Sequence, residues 1–155
     1  MTPEFIKACQ QAKEEGWLKW EPKWGDWGWY SYHALDYHIE QLALVETVEV
    51  KTGYTNIKMH LQDGHEDVWS DYNHWKEDFT WLPTEGQLMK ILQEACMRAS
   101  CIWEPGNYTE RQGNPKAGKW WVSAFVDREQ NYDIHVGDVD LPLALLKAVA
   151  VVRRK

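Results

Sequence analysis

The chain has 155 residues, enough for one domain or for two small lobes sharing a core, and its 44% hydrophobic and 26% charged fractions are those of an ordinary globular protein. A formal net charge of -7 opposes generic nucleic-acid binding, which draws on clustered Lys and Arg, and no apolar run reaches the roughly 18 residues of a membrane span. The three cysteines, Cys9, Cys96 and Cys101, form no CxxC pair, and the first residues carry acids without an apolar run, so free thiols in a reducing, cytoplasmic setting are expected.

Thr2, Pro3 and Glu4 predict a helix start, because proline is tolerated in the first turn and the threonine oxygen can accept from a free backbone N–H. Phe5, Ile6, Cys9 and Ala12 mark its apolar stripe, and Gly16 its stop. The stretch "WLKWEPKWGDWGWYSY", Trp17 to Tyr32, then holds five of the chain's 11 tryptophans. Pro22, Gly25 and Gly28 forbid a continuous helix there and predict short extended pieces, as loop or edge strand. The segment from His33 to Glu40 is ambiguous. "QLALVETVEVKTGYTNIKMH" predicts two strands around a turn near Thr52-Gly53, with Ile57, Met59 and Leu61 on one face of the second. Asp63-Gly64 marks another turn, and "EDVWSDYNHW" holds one more short strand.

After Trp81 the periodicity sharpens. Thr84 and Gln87 have capping-box spacing, and Leu88, Ile91, Leu92, Ala95 and Cys96 share a helical face, which predicts an amphipathic helix to about Ala99. "CIWEPGNY" and a Gly- and Pro-rich loop lead to "KWWVSAFVD", whose composition predicts a strand buried on both faces or nearly so. A turn at Arg128 to Asn131 leads to a half-solvated strand in which Tyr132, Ile134 and Val136 alternate with polar residues. Asp140 caps a last helix with Pro142 in its first turn, apolar almost all round from Leu141 to Val152, and Arg153, Arg154 and Lys155 sit where the helix dipole favours cations. The expected class is therefore α+β, with a mixed or antiparallel sheet. A Trp-rich, β-containing half over residues 1–80 precedes an α-β-β-β-α sandwich-like half over residues 81–155, the two sharing one core.

The segments "TWLPTEGQLMKIL" and "DLPLALLKAVA" resemble small prophage-encoded proteins of Gram-positive bacteria, in which a W-L-P-x-x-x-Q-L helix start precedes strands and a closing Pro-x-x-A-L-L-x-A helix. The matching positions are Trp81, Leu82, Pro83, Gln87 and Leu88, then Pro142, Leu145, Leu146 and Ala148, with Trp20, Pro22, Gly25 and Asp26 matching a W-x-P-x-x-G-D segment near the start. The resemblance covers mainly residues 81–155. It implies an α/β sandwich of phage type and supplies no catalytic residue.

Candidate chemistry is sparse. No nucleophile elbow, phosphate loop, dinucleotide fingerprint or zinc-deaminase pattern occurs, so no catalytic residue and no cofactor is assigned and the balance is against an enzyme. Trp17, Trp20, Trp24, Trp27, Trp29 and Tyr30 invite three uses. They can divide between core and a homo-oligomer interface, stack a sugar or base with Lys19, Lys23 and Asp26 as polar partners, or contact a phage or host protein. His60, Asp63, His65 and His74, in an acidic loop with Glu66, Asp67 and Asp71, offer metal ligands at spacings that fit no zinc framework, and a solvated acidic turn explains them as well. His33 and His38, at i and i+5, do not share a helical face. The sequence thus points first to a non-enzymatic accessory protein that associates through an aromatic surface. A carbohydrate- or nucleotide-binding module comes next, and a metal-dependent hydrolase at residues 60–74 third.

Overall fold

In the computed structural model, which describes residues 1–64, 66–69, 76–106, 118–126 and 133–154, the first helix, α1, runs Pro3–Glu14. Thr2 Oγ1 accepts from the Phe5 N–H at 3.3 Å, as its cap spacing predicts. The helix stops where Gly16 takes a φ of +78°, donating to the Lys13 carbonyl, and Leu18 donates to Ala12 at 3.3 Å. Phe5, Cys9 and Ala12 form its buried face. The chain divides into two compact units, Cys9–Pro83 and Met1–Ala8 with Thr84–Lys155.

The Cys9–Pro83 unit is built on a five-stranded antiparallel sheet of order β4-β3-β2-β1-β5. Its strands are β1 (Trp27–Ala34), β2 (Tyr37–Lys51), β3 (Tyr54–Leu61), β4 (Glu66–Trp69) and β5 (Phe79–Trp81), the last preceded by a single 3₁₀ turn at Lys76–Asp78. Alternation sends Tyr30, Ala43, Val45, Ile57, Met59, Leu61 and Phe79 to one face, where they form the core, with Trp20, Tyr32 and Trp81 packed against them. Fully burying side chains of this size stabilises by about 1.5–3 kcal/mol each. The Trp-rich stretch does not end as an edge strand: β1 lies between β2 and β5. Gly28 permits this, because a Cβ at that position would collide with the Phe79 ring of β5. The ambiguous segment proves to be a hairpin, in which Ala34 pairs with Tyr37 and Leu35-Asp36 form a two-residue turn. A register shift between Val45 and Thr47 leaves Glu46 as the extra residue of a bulge.

In the other unit, α2 (Glu85–Ala95), β6 (Arg98–Glu104), β7 (Lys119–Phe125), β8 (Asp133–Asp138) and α3 (Leu141–Arg153) follow in α-β-β-β-α order, and the sheet is a plain antiparallel β6-β7-β8 meander. The capping box is formed reciprocally by Thr84 and Gln87, and Asp140 Oδ1 accepts from Leu143 N–H at 3.2 Å. Leu88 and Leu92 of α2, Val122, Ala124 and Ile134 of the sheet, and Leu145, Ala148 and Val149 of α3 are buried. Two local expectations are corrected. The helix stops at Ala95 rather than near Ala99, because Cys96 is already extended and Met97 N–H is taken by the Phe125 carbonyl at 2.9 Å, which draws the chain into β6. In β7 only Val122 and Ala124 are fully buried, while Trp121, Ser123 and Phe125 on the opposite face stay partly open. The expected Arg128–Asn131 turn, Tyr132 and Lys155 lie outside the described residues.

Candidate metal centre

The five clustered tryptophans do not make an aromatic surface, which overturns association through such a surface as the protein's function. Trp17 is half-buried and donates its indole N–H to Glu15 at 2.8 Å. Trp20 turns inward and stacks on Phe79, with ring centroids 4.2 Å apart and 21° between planes. Trp24 projects from a turn at 79% exposure. Trp27 and Trp29 lie on the face of β1 opposite Tyr30, a core residue. The dispersal has a physical cause. Asp26, 3% exposed, accepts from the Trp20 indole and from the Lys23 backbone N–H, each at 2.9 Å. The Lys23–Asp26 turn, with Gly25 at a φ of +82°, then throws Trp24 outward. Asp26 is therefore the anchor of its loop and not a polar partner for a stacked ligand.

The strongest convergence of ligating groups is on the β1–β2 hairpin. Its register sets Ser31 opposite Glu40 and His33 opposite His38, so alternation puts all four side chains on one face beside the Leu35-Asp36 turn. The two imidazoles lie with ring centroids 4.0 Å apart and planes tilted by 46°. Glu40 Oε1 is 3.9 Å from His33 Nε2 and 3.5 Å from His38 Nε2, and Ser31 Oγ is 3.1 Å from His33 Nε2. One ligand atom from each of His33, His38 and Glu40 lies within 4.8 Å of the other two, the only such group of three among the described residues. A first-row ion held tetrahedrally at about 2.0–2.2 Å by nitrogen and oxygen spaces its ligand atoms about 3.3–3.6 Å apart. The Glu40–His38 separation of 3.5 Å already matches that spacing, and the Glu40–His33 separation of 3.9 Å exceeds it slightly. All three residues are exposed, which keeps the face open to solvent and leaves coordination positions beyond the three protein ligands.

Of the histidines and acids singled out in the 60–74 loop, the side chains of His60 and Asp63 are described. His60 Nδ1 lies 3.7 Å from Glu46 Oε2, the bulge carboxylate, which Lys58 also meets at 3.1 Å. The Lys58 hydrogen bond is the main cause that holds the Glu46 carboxyl below its ordinary range. Asp63 exchanges hydrogen bonds with Gln41, accepting at 3.2 Å and donating its backbone N–H at 3.1 Å. His65 and His74 lie outside the described residues.

Spacing alone concealed the hairpin group. Positions i and i+5 never share a helical face, but a two-residue turn midway between them makes them directly opposed cross-strand neighbours. Comparison with known proteins finds no matching family model, no matching curated protein and no matching solved structure. The functional reading therefore rests on this chain's own residues.

Proposed function

We propose that the Cys9–Pro83 unit is a metal-binding module that takes one divalent transition-metal ion on the hairpin face of His33, His38 and Glu40. The observation that carries this is the convergence of three ligand atoms of the right kinds within 4.8 Å on one antiparallel hairpin. Two imidazoles and a carboxylate suit zinc, iron, cobalt or nickel better than calcium or magnesium, which prefer all-oxygen shells. Ser31 Oγ contacts His33 Nε2, the nitrogen nearest Glu40, so an ion bound through that nitrogen would displace the serine contact.

The test is titration of the purified protein with Zn²⁺ by calorimetry and with Co²⁺ by visible absorption. One equivalent is expected, and His38→Ala or His33→Ala should weaken it by at least about tenfold. His60→Ala, which strikes the loop favoured by sequence alone, should leave the affinity unchanged. Protons compete for the same imidazole nitrogens, so affinity should fall on acidification. An ion binding only the folded hairpin at a hundredfold excess over its dissociation constant adds about 2.7 kcal/mol, which a melting shift reads. Unchanged uptake in a His33→Ala/His38→Ala double variant would refute the assignment.

A further inference from the structure

A cavity of about 380 Å³ opens in the Cys9–Pro83 unit, remote in sequence from the hairpin turn, and its walls combine two chemistries. Trp20, Phe79 and Trp81 supply aromatic surface, and Lys13, Lys19 and Lys76 bring three ammonium groups to it, opposed among the lining residues by Glu77 alone. In a chain with a net charge of -7, lysines thus outnumber acids among the lining residues. Lys13 is partly committed. It donates to the Glu77 carbonyl at 2.5 Å, and burial lowers its pKa against the opposing pull of Glu77, Asp78 and Glu14. Lys19 and Lys76 are exposed and form no ion pair among the described residues. The Trp81 indole nitrogen is itself out of reach of solvent and has no hydrogen-bond partner, so Trp81 offers the cavity its ring surface.

We propose that this cavity is a binding site for a small ring-bearing anion of the nucleoside monophosphate class. A planar base fits the aromatic wall, while a phosphate accounts for Lys19 and Lys76. The volume lies at the lower end of small-molecule pockets, about 300–1,000 Å³, which suits one nucleotide and excludes a strand of them. A neutral sugar matches less well, since it leaves the ammonium groups uncompensated. The site is separate from the metal reading and is tested with the metal site silenced.

The experiment is calorimetric titration of the full chain with adenosine monophosphate, and in parallel uridine monophosphate, adenosine, ribose 5-phosphate and inorganic phosphate, all with a chelator present. Saturable binding of at least one nucleotide is expected, with adenosine and ribose 5-phosphate each weaker by about tenfold or more, and with affinity falling as salt rises. Lys19→Ala and Lys76→Ala should each weaken binding. Trp81→Ala, which removes part of the aromatic wall, should weaken it severalfold. The His33→Ala/His38→Ala variant should bind nucleotide as the parent does. Absence of saturable binding by either nucleotide, equal affinity for adenosine and its monophosphate, or indifference to both lysine substitutions would each overturn the proposal.

Discussion

The buried carboxylate of Asp26 provides the sharpest test of how the Trp-rich stretch is organised. It is 3% exposed and accepts two hydrogen bonds of 2.9 Å, from the Trp20 indole and from the Lys23 backbone. Asp26→Ala removes the acceptor and leaves two donors facing a site built to exclude water. Each unsatisfied buried donor costs about 1–3 kcal/mol, and partial relaxation of the loop brings the pair to about 2–4 kcal/mol. Against a domain stability of about 5–15 kcal/mol that is a large loss. Asp26→Asn keeps one carbonyl acceptor and forfeits the charge, so its cost should be about 1–2 kcal/mol. Equilibrium urea unfolding followed by tryptophan emission measures both, with an unchanged slope expected because the buried area is the same. In a Trp20→Phe background one donor is already gone, and the cost of Asp26→Ala should shrink by about 1 kcal/mol. An Asp26→Ala variant within about 0.5 kcal/mol of the parent would show that water satisfies the loop and that the carboxylate does not organise it.

Two further substitutions probe the two sheets. Gly28→Ala should destabilise by about 1–3 kcal/mol, since its Cβ enters the space of the Phe79 ring and β5 must move to admit it; thermal or urea unfolding reads the loss, and a neutral result would show that the β1–β5 pairing yields easily. Around Asp138, burial acts to raise the carboxyl pKa, but the Lys147 ammonium at 2.6 Å together with the backbone N–H groups of Asp140 and Val139 outweighs it and holds the group below its ordinary range. A depressed folded pKa contributes stability that is present above the ordinary carboxylate range and lost as pH falls through the lowered value. Lys147→Ala should therefore shift acid unfolding to higher pH. Because Lys147 is about half exposed, the loss at neutral pH should stay below about 1 kcal/mol, and an acid titration followed by circular dichroism checks both.

The parts of the fold that could be read in advance are those whose determinants are local. Thr84 with Gln87, Asp140 with Pro142, and the stripe of Leu88 and Leu92 each satisfy orphan backbone groups or define a buried face within a few residues, so spacing suffices to place α2 and α3. The end of α2 is different. Nothing within Cys96-Met97 stops a helix; what stops it is the Phe125 carbonyl, 28 positions after Met97, accepting the Met97 N–H. The same holds for β7. Its composition is that of a two-sided core strand, but helices cover one face only, and the tertiary layout decides which half of the apolar residues is sealed.

The candidate metal centre was invisible for a related reason. Hairpin recognition leans on Asn-Gly or Asp-Gly turns, and Leu35-Asp36 is neither, so residues 33–40 carried no turn signature. Yet once the turn is centred between Leu35 and Asp36, the order Ser31, His33, His38, Glu40 is symmetric about it. Every one of those four side chains falls on the same face of the paired strands. The loop at residues 60–74 drew attention by density of ligand types, a property of composition. The hairpin brings fewer ligands to one point, a property of pairing. For coordination pairing is the stronger guide, because an ion needs atoms within one coordination sphere. His60 illustrates the contrast: it is rich in acidic neighbours along the chain, and its partner Glu46 is shared with Lys58.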